Sequence, residues 1–167
     1  MPRPSDSSQD PSVDPIVRRV AELGLVLPEP PRPVAAYVPC VRSGSLLFIA
    51  GQIPFRGGTL MAMGPVPSRT SVELAIEAAR QCGLNALAIA SAELGGRLSL
   101  VRRVVRLGVF VASDPSFEDH PKVADGASQL MLEVFGESGR HARAAVGSPS
   151  LPRGASVEVE VLLEVSA

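Results

Sequence analysis

Apolar and charged residues alternate near the end of the chain: Val157, Val159 and Val161 fall on one side, Glu158 and Glu160 on the other. A period of two predicts a strand buried on one face. Upstream, Arg143 precedes the small run Ala144-Ala145-Val146, which reads as another strand. Pro149, Pro152 and Gly154 punctuate the connection between them. Two short strands are predicted near 37–42 and 46–51, joined by Ser43-Gly44-Ser45, and a further one over 102–112. Residues 56–69 are rich in Gly and Pro and read as a loop, with a short strand at Thr59–Met61.

Helical spacing appears twice in the body of the chain. Thr70-Ser-Val-Glu73 has the form of a capping box, so a long helix is expected to begin at Thr70. Gly95 or Gly96 should end it, because glycine accepts the left-handed C-cap conformation. Its inner stripe, Ala75, Ala79, Cys82, Ala86 and Ile89, is mostly small, which lets a helix lie close to a sheet. A second helix is predicted from near Pro121 to Gly136, where Gly126 weakens the first half by roughly 1 kcal/mol relative to Ala. The order of elements predicts an α+β fold: a mixed sheet with two helices packed on one face.

The N-terminal segment reads differently. Residues 1–13 are rich in Pro, Ser and Asp and are expected to be a disordered tail. Ile16 to Leu25 carries Ile16, Val17, Val20 and Leu23 on one side, as a short amphipathic helix would. The Pro-rich run 27–33 follows as an extended connector, so the expected divisions are 1–13, 14–34 and a domain over 35–167.

Composition narrows the function. The chain has 167 residues, 46% hydrophobic, enough for one domain with a sizeable core. Its net charge of −1 gives no electrostatic argument for nucleic acid or an anionic membrane. There is no Trp and 1 Tyr, so stacking platforms for single strands are scarce. Apolar runs are too short to span a bilayer, and the N-terminus lacks a signal-peptide core; a cytoplasmic location is the default expectation. Cys40, Cys82, His120 and His141 lack ligand spacing, so no metal is expected; no Gly-rich phosphate loop precedes a helix, and no cofactor is expected either. Arg102, Arg103 and Arg106 read as a solvated or salt-bridged face.

A few side chains are suited to chemistry. Arg143 could grip a carboxylate with two parallel hydrogen bonds, or pair with a nearby acidic residue at the surface. Glu158 and Glu160 share a strand face roughly 6.6–6.8 Å apart, close enough for one to raise the other's pKa. Tyr37 could shape a pocket or be a half-buried strand aromatic, and Gly51 permits close backbone approach to a ligand or a turn.

Three blocks carry a resemblance. They are Tyr37 with Gly44-Ser-Leu-Leu-Phe-Ile-Ala-Gly-Gln-Ile-Pro54, then Val105-Arg-Leu-Gly-Val-Phe-Val111, then Arg143-Ala-Ala-Val followed by Leu151-Pro152 and Val157-Glu-Val-Glu160. In this order, from about 35 to 165, the chain resembles the reactive intermediate deaminase family (Rid/YjgF, L-PSP endoribonuclease-like). The resemblance implies the chorismate-mutase-like YjgF-type fold and a homotrimer with pockets between subunits. It also implies hydrolysis of 2-imino or 2-aminoacrylate-type acids with release of ammonia, as in 2-iminobutanoate/2-iminopropanoate deaminases. By that resemblance Arg143 holds the substrate carboxylate and Glu158 positions or activates the water. Tyr37 then lines the pocket from the neighbouring subunit, and Gly51 lies in the ligand-facing loop. Two positions depart from the pattern: Ala50 replaces a frequent serine and Ala145 a frequent substrate-side cysteine. An asparagine often found in the family has no counterpart near 117–123. The rival reading is a non-catalytic trimeric module for small carboxylates or a protein partner. A ribonuclease or translation-inhibitor role, implied by the family's older name, is disfavoured by charge and aromatic content.

Overall fold

A computed structural model describes residues 12–30 and 36–166. The predicted tail and the end of the Pro-rich connector lie largely outside these residues. A short helix α1 (Pro15–Glu22) comes first, then β1 (Cys40–Ser43) and β2 (Leu46–Gln52). A two-stranded hairpin, β3 (Phe55–Arg56) and β4 (Thr59–Leu60), leads to the long helix α2 (Val72–Glu93). Strand β5 (Val101–Ala112), helix α3 (His120–Phe135), β6 (Ala142–Ser148) and β7 (Val157–Val165) complete the chain. The main sheet has the order β1-β2-β7-β5-β6, antiparallel except for the parallel β5–β6 pair. The two long helices pack on one face of this mixed sheet, which is the α+β arrangement the pattern predicts.

Alternation on β7 sets the layers. Val157, Val159, Val161, Leu163 and Val165 are buried towards the helices. Glu158, Glu160, Leu162 and Glu164 emerge on the helix-free face. Helix α2 is buried on all sides from Gln81 to Ala90, because the sheet and α3 both cover it. Glycines permit that closeness. A Cβ at Gly126 would collide with the backbone oxygen of Ile76 on α2. Gly126 is therefore a packing residue between the helices, not merely a weak point of α3.

Three boundaries differ from the expected ones. The cap of α2 falls on Ser71, whose side chain accepts the Leu74 N–H at 3.1 Å. Thr70 is instead buried, 2.9 Å from the Met63 carbonyl and 2.8 Å from Ser156 Oγ, where it ties the preceding loop to the start of β7. The first strand begins only at Cys40, so Tyr37 lies in the bend before it. At the N-terminus α1 stops at Glu22. Asp14 accepts from the N–H groups of Ile16 and Val17 and also from Ser99, so one carboxylate caps α1 and fastens it to the body. At its other end, α2 finishes as predicted, with Gly95 and Gly96 left-handed.

Candidate functional site

The site begins with a defect in pairing between β2 and β7. Ile49 lies opposite Val161 and Gln52 opposite Val159, so the two residues Ala50 and Gly51 occupy the place of one. The Gln52 side chain braces this bulge by donating to the Ala50 carbonyl at 2.9 Å and the Gly51 carbonyl at 3.2 Å. A bulge re-aims the strand next to it. Here it brings Gly51 against the Glu158 side chain, so closely that a Cβ at position 51 would overlap the carboxylate. Glycine is needed there for space.

Glu158 is half-buried, and burial raises its pKa, with the Glu160 charge adding to the effect. The two glutamates differ in their partners. Glu160 pairs with Arg106 at 2.8 Å. Glu158 has no ion pair or hydrogen bond among the described residues. A carboxylate that is partly dehydrated, unpaired and biased towards protonation can take a proton from water.

Glu158 lines a cleft of about 790 Å³ together with Tyr37, Gly51, Phe55, Asn85 and Arg153. The floor is held by a polar chain. Arg56 donates to Gln81 at 3.0 Å, Gln81 to Asn85 at 2.8 Å, and Asn85 to the Ile53 and Phe55 carbonyls at 3.1 Å each. Sequence reasoning missed Gln81, Asn85 and Arg153. The first two had a signal: two amides at i, i+4 inside an otherwise apolar helix. Arg153 had none beyond its place in a Pro-Arg-Gly turn.

Arg143 and Ala145 do not line this cleft. Arg143 faces α3, where its Nη1 donates to Asp125 Oδ1 at 2.7 Å and to Ser128 Oγ at 3.0 Å. Ser128 Oγ lies 2.9 Å from His141 Nε2, and His141 Nδ1 lies 2.6 Å from the Gly139 carbonyl. With the proton on Nδ1, His141 accepts from Ser128, whose oxygen then accepts from Arg143. Ala145 packs on the core from the same side. Strand parity explains the separation. Val146 pairs with Phe110 and Phe110 with Glu158, so Val146 shares the Glu158 face while Arg143 and Ala145 take the other. Arg143 and Glu158 therefore do not face one cleft within a single protomer.

The helix-free face carries exposed apolar side chains among its charged ones. Val41, Phe48 and Val146 are 53%, 47% and 46% exposed on it. Beside them a groove of about 330 Å³ runs over Val38, Phe48, Leu162 and the Arg106–Glu160 pair. Among the described residues, no group of three or more His, Cys, Asp or Glu side chains is arranged to hold a metal. Cys82 is buried and Cys40 has its thiol pushed up to about 11 by burial and by Glu93, so neither is a ready nucleophile. No helix among the described residues is long and apolar enough to cross a membrane.

The sequence model of the family described as "YjgF/chorismate_mutase-like, putative endoribonuclease" matches residues 17–165. The chain belongs to the YjgF family. Protein TCP17 of Trypanosoma cruzi is 43% identical over 152 residues, spanning 90% of this chain and 94% of that protein. A YjgF relative from Dermatophagoides farinae named 2-iminobutanoate/2-iminopropanoate deaminase is 30% identical over 139 residues, 83% of this chain and 92% of its own. Among solved structures, a protein of unknown function from Agrobacterium tumefaciens superposes with a TM-score of 0.85 at 46% identity, covering 90% of this chain and 92% of that one. The YjgF fold thus accounts for the sheet order, the two long helices and the strand that carries Glu158.

Proposed function

We propose that this chain hydrolyses short 2-imino acids to 2-oxo acids and ammonia, in sites shared between neighbouring copies of a homotrimer. The observation that carries the proposal is the unpaired, half-buried Glu158 carboxylate, pressed against Gly51 in a ligand-sized cleft. The exposed cross-strand pair Val41 and Phe48, beside Val38 and Leu162, supports assembly as an apolar spot on the sheet face that a second copy could cover. A shared site also gives Arg143 a role: on an edge strand, it can serve the cleft of the next copy. The deaminase name of one relative agrees with this chemistry.

In this reading Arg143 binds the substrate carboxylate and Tyr37 closes one wall. Glu158 removes a proton from a water as the oxygen bonds to the imine carbon and the C=N π electrons move to nitrogen. The resulting carbinolamine takes one proton at nitrogen from Glu158 and a second from its own hydroxyl group through solvent; its C–N bond then breaks with the electron pair leaving on ammonia, and the deprotonated oxygen becomes the carbonyl. The protonated fraction favoured by a raised pKa suits Glu158 to return that proton.

The test is ammonia release from freshly generated 2-imino acids by wild type, Arg143→Ala and Glu158→Gln. Turnover that falls in both variants, with binding of 2-oxo acids kept in Glu158→Gln and lost in Arg143→Ala, is the expected result. Binding without turnover in the wild type would instead establish the carboxylate-binding module. Neither binding nor turnover would leave Arg143 as a structural partner of Asp125 and Ser128.

A further inference from the structure

Between β6 and β7 the chain turns through Leu151-Pro152-Arg153-Gly154. Arg153, at φ 59° and ψ 17°, is the only non-glycine among the described residues with a positive φ. Side chains with a Cβ are disfavoured there, and glycine or asparagine fits more easily. A long cation nonetheless occupies the position, and strain of this kind gathers at functional sites.

The guanidinium of Arg153 stacks over the Phe55 ring, 4.9 Å from its centroid. No acidic side chain pairs with it among the described residues, in contrast to Arg106, Arg140 and Arg143. Stacking orients the guanidinium plane and leaves its in-plane N–H groups free for a carboxylate. Phe55 and Arg153 line the same cleft as Glu158. Glu29 and Glu158 also border it, so a dianionic substrate would need a cation of its own there.

We propose that Arg153 holds a second, distal carboxylate, making 2-imino dicarboxylic acids the substrate class of this cleft. The inference rests on the imino-acid reading above. Arg143 of a neighbouring copy takes the carboxylate beside the reacting carbon. Arg153, on the copy that supplies Glu158, takes the far one and sets specificity without entering the water-attack step.

The experiment compares imino acids made in place by amino-acid oxidases from glutamate and from 2-aminobutyrate. Wild type, Arg153→Asn and Arg153→Lys are assayed as full chains; asparagine tolerates the left-handed backbone, so the fold is preserved. Expected is a wild-type kcat/KM about ten-fold or more higher for the dicarboxylic imino acid. Arg153→Asn should lose about ten- to a hundred-fold on that substrate and less than about two-fold on the monocarboxylic one, with partial rescue in Arg153→Lys. Equal losses on both substrates, or no loss, overturn the proposal. Calorimetric titration with 2-oxoglutarate and 2-oxobutanoate separates the two readings. Absence of ammonia release from every imino acid removes the hydrolase. The dicarboxylate site then stands if 2-oxoglutarate binds wild type and weakens in Arg153→Asn, and falls if it does not bind or binds both alike.

Discussion

Gly51→Ala tests whether the Glu158 carboxylate is the reactive group, without touching that carboxylate chemically. The added Cβ would stand 2.8 Å from the Glu158 carboxyl carbon and 3.1 Å from its Cγ. Ordinary contact begins at 3.4 Å, so the carboxyl carbon alone falls short by about 0.6 Å, and the nearer Oε1 atom must move farther still. Misplacing a catalytic group by about 1 Å can lower the rate about 10²-fold. A ten- to hundred-fold drop in kcat/KM is therefore expected. The fold should tolerate the change at about 1 kcal/mol or less, below the usual overpacking range, because Glu158 can swing into the open cleft. Ammonia release can be followed through glutamate dehydrogenase, with thermal unfolding as the control. The decisive comparison is the double variant. If both changes act through one carboxylate, Gly51→Ala in a Glu158→Gln background should cost nothing further. Wild-type turnover in a folded Gly51→Ala protein would refute the argument. So would fully additive losses, which would mean that the methyl group blocks substrate directly.

Three other outcomes follow from the structure. Glu158 has a raised pKa in the fold, so its ionised form is disfavoured there; stability is lost as pH rises from the unfolded value through the folded one. Glu158→Gln should accordingly be more stable than wild type at neutral pH, with the gap closing below the unfolded glutamate pKa; equal chemical-denaturation midpoints at neutral pH would contradict this. Phe48→Asp puts a charge beside exposed Val41 on the helix-free face and should convert a sedimenting trimer to monomer, while a wild type that sediments as monomer at all concentrations removes the shared site. Asp14→Ala loses the cap of α1 and the bond to Ser99, which should destabilise the protein by about 1 kcal/mol and lower Tm by about 2–4 °C; an unchanged Tm would mean that α1 does not contribute to the fold's stability.

Period-two alternation on β7 and the small stripe of α2 were readable because burial on one face imposes them directly on residue choice. The ends of α2 were half readable. Gly95 and Gly96 mark a backbone need, whereas the Thr70 hydroxyl is equally suited to a cap or to a loop tie, and only the distant Ser156 decides between them. Gly126 has the same ambiguity: local propensity counts it as a weakness until the backbone of α2 is known to pass beside it. The facing of Arg143 depends on register between β6 and β5, which no local pattern encodes. Arg153 was hidden for a further reason. The neighbouring Gly154 offers an obvious residue for a left-handed turn, so nothing in the letters shows that the arginine is left-handed as well.

That Arg143 and Glu158 lie on opposite faces of one sheet has a consequence for inheritance. If the site joins two copies, a chain lacking Arg143 still lends a sound glutamate, and a chain lacking Glu158 still lends a sound arginine. Mixed at random in a ring of three, two individually dead alleles would rebuild about a quarter of the sites. Mutations at the two positions would then complement each other in one cell, whereas two mutations on the Glu158 side of the cleft, such as Glu158→Gln with Gly51→Ala, would not.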